Sequence, residues 1–491
     1  MPQPYPPAME ERDMAIQTYH QLTIWGWLVQ ELLDPTHELL VLAQHIEWDA
    51  ITAALRPFYK PLGRSAKPIR LMVGLHLLKH RYHLSDEAVV QGLHENLYWM
   101  ACCGIDLGTV LEHAQPGEPL QWVEASTLSK WRKRLGAAGT HVLEGVVQQQ
   151  LAREHVLQSK SLVTDTTAME KHIAYPTDTA LLDKGRRRLV TLIGQAKAVG
   201  VTVAKGLRSF TRVAKRVVLE ATKLGHDRLE RIEAANRQLS AMAQHVLRRV
   251  PRVVAQLNGQ LGALRRQGQA QAAAGVQRLR DRLQHTAGLV QRVIHQNAER
   301  FQGRHVPNKV LSLHEPQVVS ICKGKRGKPT EYGCKVSVSI DRQGFVVTHT
   351  EYAANIADAE TLPDALRGWI AVLGQPPPEL AADRGMHHPD QERGRLGTAQ
   401  IARVSIPRKG KRRHPAADTA WFKRLQRLRA HIEPVLSHLK ADHRMDRSRY
   451  RGFEGDQMNV SWAVLAWNTK KWGRQLHQHL LAGQQEQRRA A

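Results

Sequence analysis

Strand-forming runs fall in two sets separated by a long helical stretch, and this spacing limits the fold more than any other feature. One β-prone run, Lys160-Ser-Leu-Val-Thr-Asp165-Thr-Thr, stands by itself early in the chain. From about 180 to 305 Arg, Gln, Ala and Leu dominate, and Leu229–Arg249 and Val276–Val293 carry apolar residues at heptad-like spacing. This predicts an antiparallel helical pair turning near Gln256–Gln269, with Pro251 kinking or ending its first arm. Strand signals resume at Val318–Cys322. Tyr332–Ile340 and Phe345–Tyr352 flank the turn Asp341-Arg-Gln-Gly344, a hairpin pattern. A helix from about Asp358 to Leu373, a short run Glu379-Leu-Ala-Ala-Asp383-Arg-Gly385, a strand over Ile401–Ile406 and a helical region from Thr419 complete the order. Strands interleaved with helices point to an α/β layer fold.

Ahead of the first strand, residues from about 8 to 155 read as helical. Trp48–Phe58 and Ile69–Lys79 show apolar residues at helical spacing, the second with Pro68 at its start. Ser85 is a candidate N-cap for a helix through Trp99, followed by a loop with Gly104, Gly108, Pro116, Gly117 and Pro119. Ser126 is a candidate cap for Thr127–Leu135. That segment has Leu128, Trp131 and Leu135 on one side and Lys130, Arg132, Lys133 and Arg134 elsewhere. It is similar to the second helix of a helix-turn-helix, which meets bases and phosphates, and equally to an ordinary basic capped helix.

Charge narrows the partner. The chain carries 71 Lys+Arg against 45 Asp+Glu, a formal net charge of +26. Residues 180–305 hold 25 basic and 7 acidic side chains, a net of +18. An excess of this size calls for a polyanion, and nucleic acid comes first. The basic arm reads as a phosphate-tracking element or as a dimerisation coiled coil, and the two roles are compatible. The apolar run Leu22–Val29 is too short to span a bilayer, and Met1–Pro7 lacks the basic start and apolar core of a signal peptide. A soluble, cytoplasmic, DNA-associated protein without membrane attachment is expected. None of Cys102, Cys103, Cys322 and Cys334 has C-x-x-C spacing, so neither a zinc site nor a disulfide framework is indicated. The chain shows no internal repeat.

The acidic residues carry the chemistry. Asp165 and Asp383 each end a short β-prone run, where adjacent strands can bring two carboxylates together. A turn-initiating role is the ordinary alternative for such an aspartate. Glu433 follows Arg429 by four positions and precedes Lys440 by seven, so on a helix all three share one face. Alone, that stripe is a solvated ion pair worth tenths of a kcal/mol. Beside Asp165 and Asp383, Glu433 becomes a third carboxylate, and clustered carboxylates repel unless a cation lies between them. Oxygen ligands suit Mg2+ or Mn2+, and two such ions support phosphodiester displacement. His387 and His388 fit this poorly, because adjacent imidazoles rarely share one metal. Glu170, Asp178 and Asp183 read as turn or surface acids.

These motifs resemble the DDE transposases of bacterial insertion sequences, in the group with a Tyr-Arg-Glu-Lys signature on the last catalytic helix. Arg429, Glu433 and Lys440 match three signature positions, and the tyrosine position is Gln426. Val-Thr-Asp165-Thr-Thr and Ala-Asp383-Arg-Gly look like the two catalytic aspartates. Gly452–Asn459 and Trp467-Asn468 are similar to the family's C-terminal helix region. The resemblance implies an RNase H-like mixed-sheet catalytic domain with an all-α N-terminal domain and a long helical insertion. Domains are expected at 1–155 (DNA-binding), 156–180 and 306–473 (catalytic), 181–305 (insertion) and 474–491 (a polar, disordered tail). It further implies DNA cleavage at transposon ends and strand transfer, with Asp165, Asp383 and Glu433 holding two Mg2+ or Mn2+ ions. Arg429 and Lys440 would face double-stranded DNA, and a homo-oligomer would form in the synaptic complex. A non-catalytic DNA-binding derivative is the alternative.

Overall fold

The computed structural model describes residues 33–60, 66–105, 123–325, 328–394 and 397–490. The proline-rich start, Leu22–Val29 and the loop residues Gly108, Pro116, Gly117 and Pro119 lie outside them. The chain divides into two units, residues 1–170 with 335–491, and residues 171–334.

The first unit opens with helices α1 (Glu38–His45), α2 (Trp48–Leu55), α3 (Ile69–Arg81), α4 (Asp86–Glu95), α5 (Leu97–Cys102) and α6 (Ala125–Arg153). Ser85 caps α4 as expected, its side chain accepting from Ala88 N. The helix stops at Glu95 rather than Trp99, because the Asn96 side chain caps α5 by accepting from Trp99 N. Ser126 does not cap: it lies inside α6 and donates to Glu124 at 3.1 Å. The helical segment ends after Leu135 all the same, because Gly136 takes φ 64° and ψ −171°, a left-handed excursion that bends α6 and suits glycine.

The sheet is built from β1 (Ser161–Lys171), β3 (Lys328–Ile340), β4 (Val346–Tyr352), β5 (Glu379–Ala382), β6 (Arg403–Ser405) and the short β7 (Arg447–Ser448), with β2 (Val319–Lys325) belonging to the second unit. β3 pairs antiparallel with β4, β1 lies beside β3, and β1, β5 and β6 run parallel in that order. β1 does not end at Asp165. It runs on to Lys171, because the residues after Asp165 stay extended and Glu170 N bonds Asp446 O beside β7. Helix α12 (Leu362–Leu373) covers one face of the sheet, with Leu362, Leu366 and Trp369 packed on Leu162, Val347 and Leu380.

Helices α13 (Ala420–Arg429), α14 (Ile432–Ala441) and α15 (Gly452–Ala490) finish the unit. α14 begins just before Pro434, which stands in its first turn, where its missing N–H breaks no helical bond. α15 reaches Ala490, so the expected disordered tail is helical; Gln, Arg, Leu and Ala are good helix formers. Trp462 and Trp472 of α15 are buried among residues of α1, α2, α3 and α6. Asn468 clamps β4, accepting from Val346 N at 3.0 Å and donating to Val346 O at 2.8 Å.

The second unit is more than the expected helical pair. It holds α7 (Asp178–Ala198), α8 (Thr211–Thr222), α9 (Arg228–Leu247), α10 (Val250–Arg266) and α11 (Ala270–Phe301), followed by β2 and the first part of β3. Pro251 sits in the first turn of α10 and separates it from α9. The turn falls at residues 267–269. Leu189, Leu192, Val253, Leu257, Leu279 and Leu283 form one core, and Leu182, Leu239 and Val293 belong to another.

Two sets of buried ionisable groups set the pH behaviour of the first unit. His349 on β4 lies between Glu144 of α6, 2.9 Å away, and Glu351, 2.6 Å away. Burial disfavours the imidazolium, but the two carboxylates hold its pKa well above the ordinary value. The histidine's share of this stabilisation is fully present below pH 6.5 and is lost as pH climbs through the raised value, and Glu144's share, with its carboxyl lowered to about 2, is present above pH 4.5 and is lost as pH falls toward 2. His76, His80 and His443 show the reverse: burial and nearby cations depress all three, His443 to about 4. Their contribution is present above pH 6.5 and is lost as pH falls below it, that of His443 as pH approaches 4. Asp341 opposes them, since burial pushes its carboxyl up to about 6 and stability rises as pH falls through that value. With three imidazoles against one carboxyl, the thermal midpoint is expected to drop between pH 6.5 and 4 in a calorimetric pH series. His349→Ala leaves two buried carboxylates without their cation and is expected to cost about 3–5 kcal/mol in denaturant unfolding at pH 7.

Candidate active site

Pairing between β1 and β5 places the two aspartates. Ser161 lies opposite Glu379, Leu162 opposite Leu380, Val163 opposite Ala381 and Thr164 opposite Ala382. One further step puts Asp165 opposite Asp383, whose backbone is still extended at φ −77° and ψ 174°. Directly opposed residues share a face, and neighbouring strands lie about 4.8 Å apart. Both side chains are half-buried, just beyond the fully buried Thr164 and Ala382. Asp165 is thus mid-strand, yet it stands where its partner strand ends.

Each aspartate is held locally. Asp165 Oδ1 accepts from Thr166 N at 2.7 Å, and Asp383 Oδ1 accepts from Met386 N at 3.2 Å. At the other end of the pairing, Ser161 Oγ donates to Glu379 at 2.8 Å, and Arg424 of α13 also engages Glu379.

Helix α13 crosses the ends of β5 and β6. Phe422, Leu425 and Leu428 are buried along it. Gln426, at the signature's tyrosine position, donates through Nε2 to Ser405 O at 2.8 Å and Ala382 O at 3.3 Å. It therefore ties the helix to the residue before Asp383. One turn on, Arg429 Nη2 meets Glu433 Oε1 at 2.7 Å, with the Glu433 side chain 61% exposed. Lys440 is half-buried in the last turn of α14.

The expected gathering of three carboxylates is therefore partial. Asp165 and Asp383 each follow the last paired residues of β1 and β5, while Glu433 is engaged by Arg429, four residues before it. Among the described residues no three His, Cys, Asp or Glu side chains form a metal-holding group. The other acids near Asp165 in sequence have basic partners: Glu170 pairs with Arg447 at 2.9 Å, Asp178 with Arg300 at 2.7 Å and Asp183 with Arg186 at 2.6 Å. His388 caps a turn by accepting from Asp390 N, and His438 stacks on Trp467.

The basic cluster on α6 divides. Lys130, Lys133 and Arg134 are exposed, with Arg134 over the Tyr59 ring at 5.3 Å. Arg132 is buried, its fork closed on Asp86 at 2.8 and 2.5 Å and its guanidinium over Tyr450 at 4.8 Å. Burial alone would raise the Asp86 carboxyl, but Arg132 and Lys79 hold it well below the usual range. Unlike its neighbours, the Arg132 side chain is turned into the interior, where it braces α6 against α4. Sequence reasoning missed it because helical periodicity does not distinguish a solvated arginine from one with a buried anion partner. It also missed Asp358, Lys335 and Thr166, which adjoin the aspartate pair; an acid opening a helix looks like ordinary end chemistry.

A mixed sheet whose parallel strands β1 and β5 bring Asp165 and Asp383 to one end, followed by α13 with Arg429 and α14 with Glu433, is the arrangement of an RNase H-like domain. Residues 308–469 match the family model described as Transposase DDE domain, and residues 28–134 match the one described as Transposase domain (DUF772). An uncharacterized protein, ORF8 in the nfe locus of Rhizobium meliloti, is 38% identical over 202 residues, which cover 40% of this chain and 89% of that protein. The chain belongs to the DDE transposases of insertion sequences. No described helix is long and apolar enough to cross a membrane.

Arg132→Ala is expected to lower stability by about 3 kcal/mol, the low end for a broken buried pair because Lys79 still meets Asp86 at 2.7 Å. Urea unfolding of this variant beside Lys133→Ala, which is expected to unfold like the parent, checks the division.

Proposed function

We propose that the protein is an active transposase that cleaves DNA at transposon ends and joins the freed 3′ end to target DNA, using Mg2+ or Mn2+. The observation that carries this reading is the β1–β5 register, which ends with Thr164 opposite Ala382, the residues immediately before Asp165 and Asp383. Asp165 lies outside both matched stretches, so its support comes from this register. The donors fit the ion: Mg2+ is usually held by one or two carboxylates, with water and substrate phosphate completing its shell. Asp165 and Asp383 would hold it, joined by Glu433. When bound, such ions activate the attacking oxygen and stabilise the leaving one.

The chain's own residues do the positioning. Arg429 holds Glu433, and a DNA phosphate that takes the Arg429 guanidinium releases the carboxylate toward the aspartates. Lys440 adds a cation on the same helical stretch. Lys130, Lys133 and Arg134 engage the backbone of a duplex, and the basic helices of residues 181–305 engage phosphates in their own right. Two or more copies act together on the paired ends.

The test is a Mg2+-dependent cleavage and joining assay on the inverted repeats flanking the gene. Asp383→Asn and Glu433→Gln are expected to abolish both steps while retarding DNA in a gel as the parent does. Cleavage retained by Asp383→Asn overturns the assignment, and a parent protein that binds the ends without cutting them is a non-catalytic derivative. Lys133→Ala is expected to weaken binding across sequences and to reduce the slope of log affinity against log salt by about 1.

A further inference from the structure

The sheet edge with Asp165 and Asp383 carries another carboxylate that belongs to neither strand. Asp358 opens the single 3-10 turn Asp358–Thr361 that leads into α12. Its Oδ1 accepts from Thr166 Oγ1 at 2.7 Å and from Lys335 Nζ at 2.7 Å. Lys335 stands on β3 with its side chain 7% exposed, and it also donates to Ile356 O at 2.6 Å. The buried ammonium thus fixes the chain entering the turn as well as the carboxylate that opens it.

The two bonds have different consequences. Thr166 is the residue after Asp165, and its N–H is the donor to Asp165 Oδ1 at 2.7 Å. One threonine therefore connects the two carboxylates, its hydroxyl on Asp358 and its amide on Asp165. The other oxygen of Asp358 approaches Asp383. A Cβ placed on Gly385 would lie 3.1 Å from Asp358 Oδ2 and 3.0 and 3.3 Å from the two Asp383 oxygens. Asp358 and Asp383 therefore meet across a residue without a side chain, their nearest oxygens no more than 6.1 Å apart by the sum of the two shorter approaches. Like charges at that range repel. Lys335, bound to Oδ1, offsets part of the Asp358 charge, so Asp358 keeps its place.

We propose that Asp358, balanced by Lys335, is the positioning residue of the aspartate pair. Through Thr166 it fixes Asp165, and across Gly385 it sets where Asp383 stands, so both carboxylates are in place before a cation arrives. Asp358 is not itself a ligand in this scheme, because its Oδ1 is committed to Thr166 and Lys335. The proposal rests on the metal-binding reading of Asp165 and Asp383 given above.

Calorimetric titration of Mn2+ alone into the full-length protein, without DNA, tests it. Asp165→Asn and Asp383→Asn are expected to lose binding. Thr166→Val is expected to weaken it about tenfold or more, the scale of residues that orient ligands, at an unchanged melting temperature, and Asp358→Asn to weaken it as much with a lower melting temperature, because the buried Lys335 loses its counter-charge. Thr166→Ser keeps the hydroxyl and is expected to bind as the parent does. Thr166→Val removes only that hydroxyl, so it reports on the link even where Asp358→Asn unfolds. Parental affinity in both Asp358→Asn and Thr166→Val, with binding lost in Asp165→Asn, overturns the positioning role and leaves the metal reading standing. Absence of binding in the parent, or binding indifferent to Asp165→Asn and Asp383→Asn, overturns the metal reading and this proposal with it.

Discussion

The pairing of β1 with β5 is the constraint on which the rest of this molecule depends. It joins residues 218 positions apart, as the Ser161–Glu379 hydrogen bond records. Closing so long a loop costs only slightly more than closing a shorter one, since the entropic penalty grows with the logarithm of length. That weak dependence lets a helical unit of residues 171–334 stand between β1 and its partners. The register is well specified because both strands are buried. A slip of one residue would turn Leu162 and Leu380, both fully buried, to the opposite face. The same register aligns Asp165 with Asp383, so the requirements of the core and of the site coincide.

Much of this was legible in the sequence, for identifiable reasons. Runs such as Val336–Ile340 and Phe345–Tyr352 carry the period-two signal around a glycine turn, and both became strands. Asp383 closes an apolar run followed by Gly385, and it does end β5. The extent of β1 was not legible, because Thr166–Lys171 mixes small and polar residues that only the neighbouring strands hold extended. Ser126 and Arg132 mislead for a related reason. Local pattern gives the helix, whereas the destination of a side chain depends on partners far along the chain, here Asp86 for Arg132. The polar composition after residue 474 suggested disorder, although the same residues favour helix once α15 is under way.

At the site, pattern and geometry part in an instructive way. The four-residue step from Arg429 to Glu433 fits both an ion pair and a catalytic arrangement, and the structure holds the ion pair. Gln426 ties α13 to the ends of β5 and β6 with three hydrogen bonds. Position on the helix matters here more than residue identity, because an amide reaches those carbonyls directly.

Helix α15 carries a consequence for how such a chain can be cut or shuffled. Its Trp462 is packed with residues of the N-terminal helices, while its Asn468 grips β4. The stretches matched by two separate family models thus lie in one compact unit, with α15 packed on both. A fragment ending after α6 would present to water the apolar faces that α15 covers, and the remaining sheet would keep a tryptophan-lined helix with no counterpart. The two matched stretches therefore stand or fall together as a single folded body, whereas residues 171–334 form a unit with cores of their own.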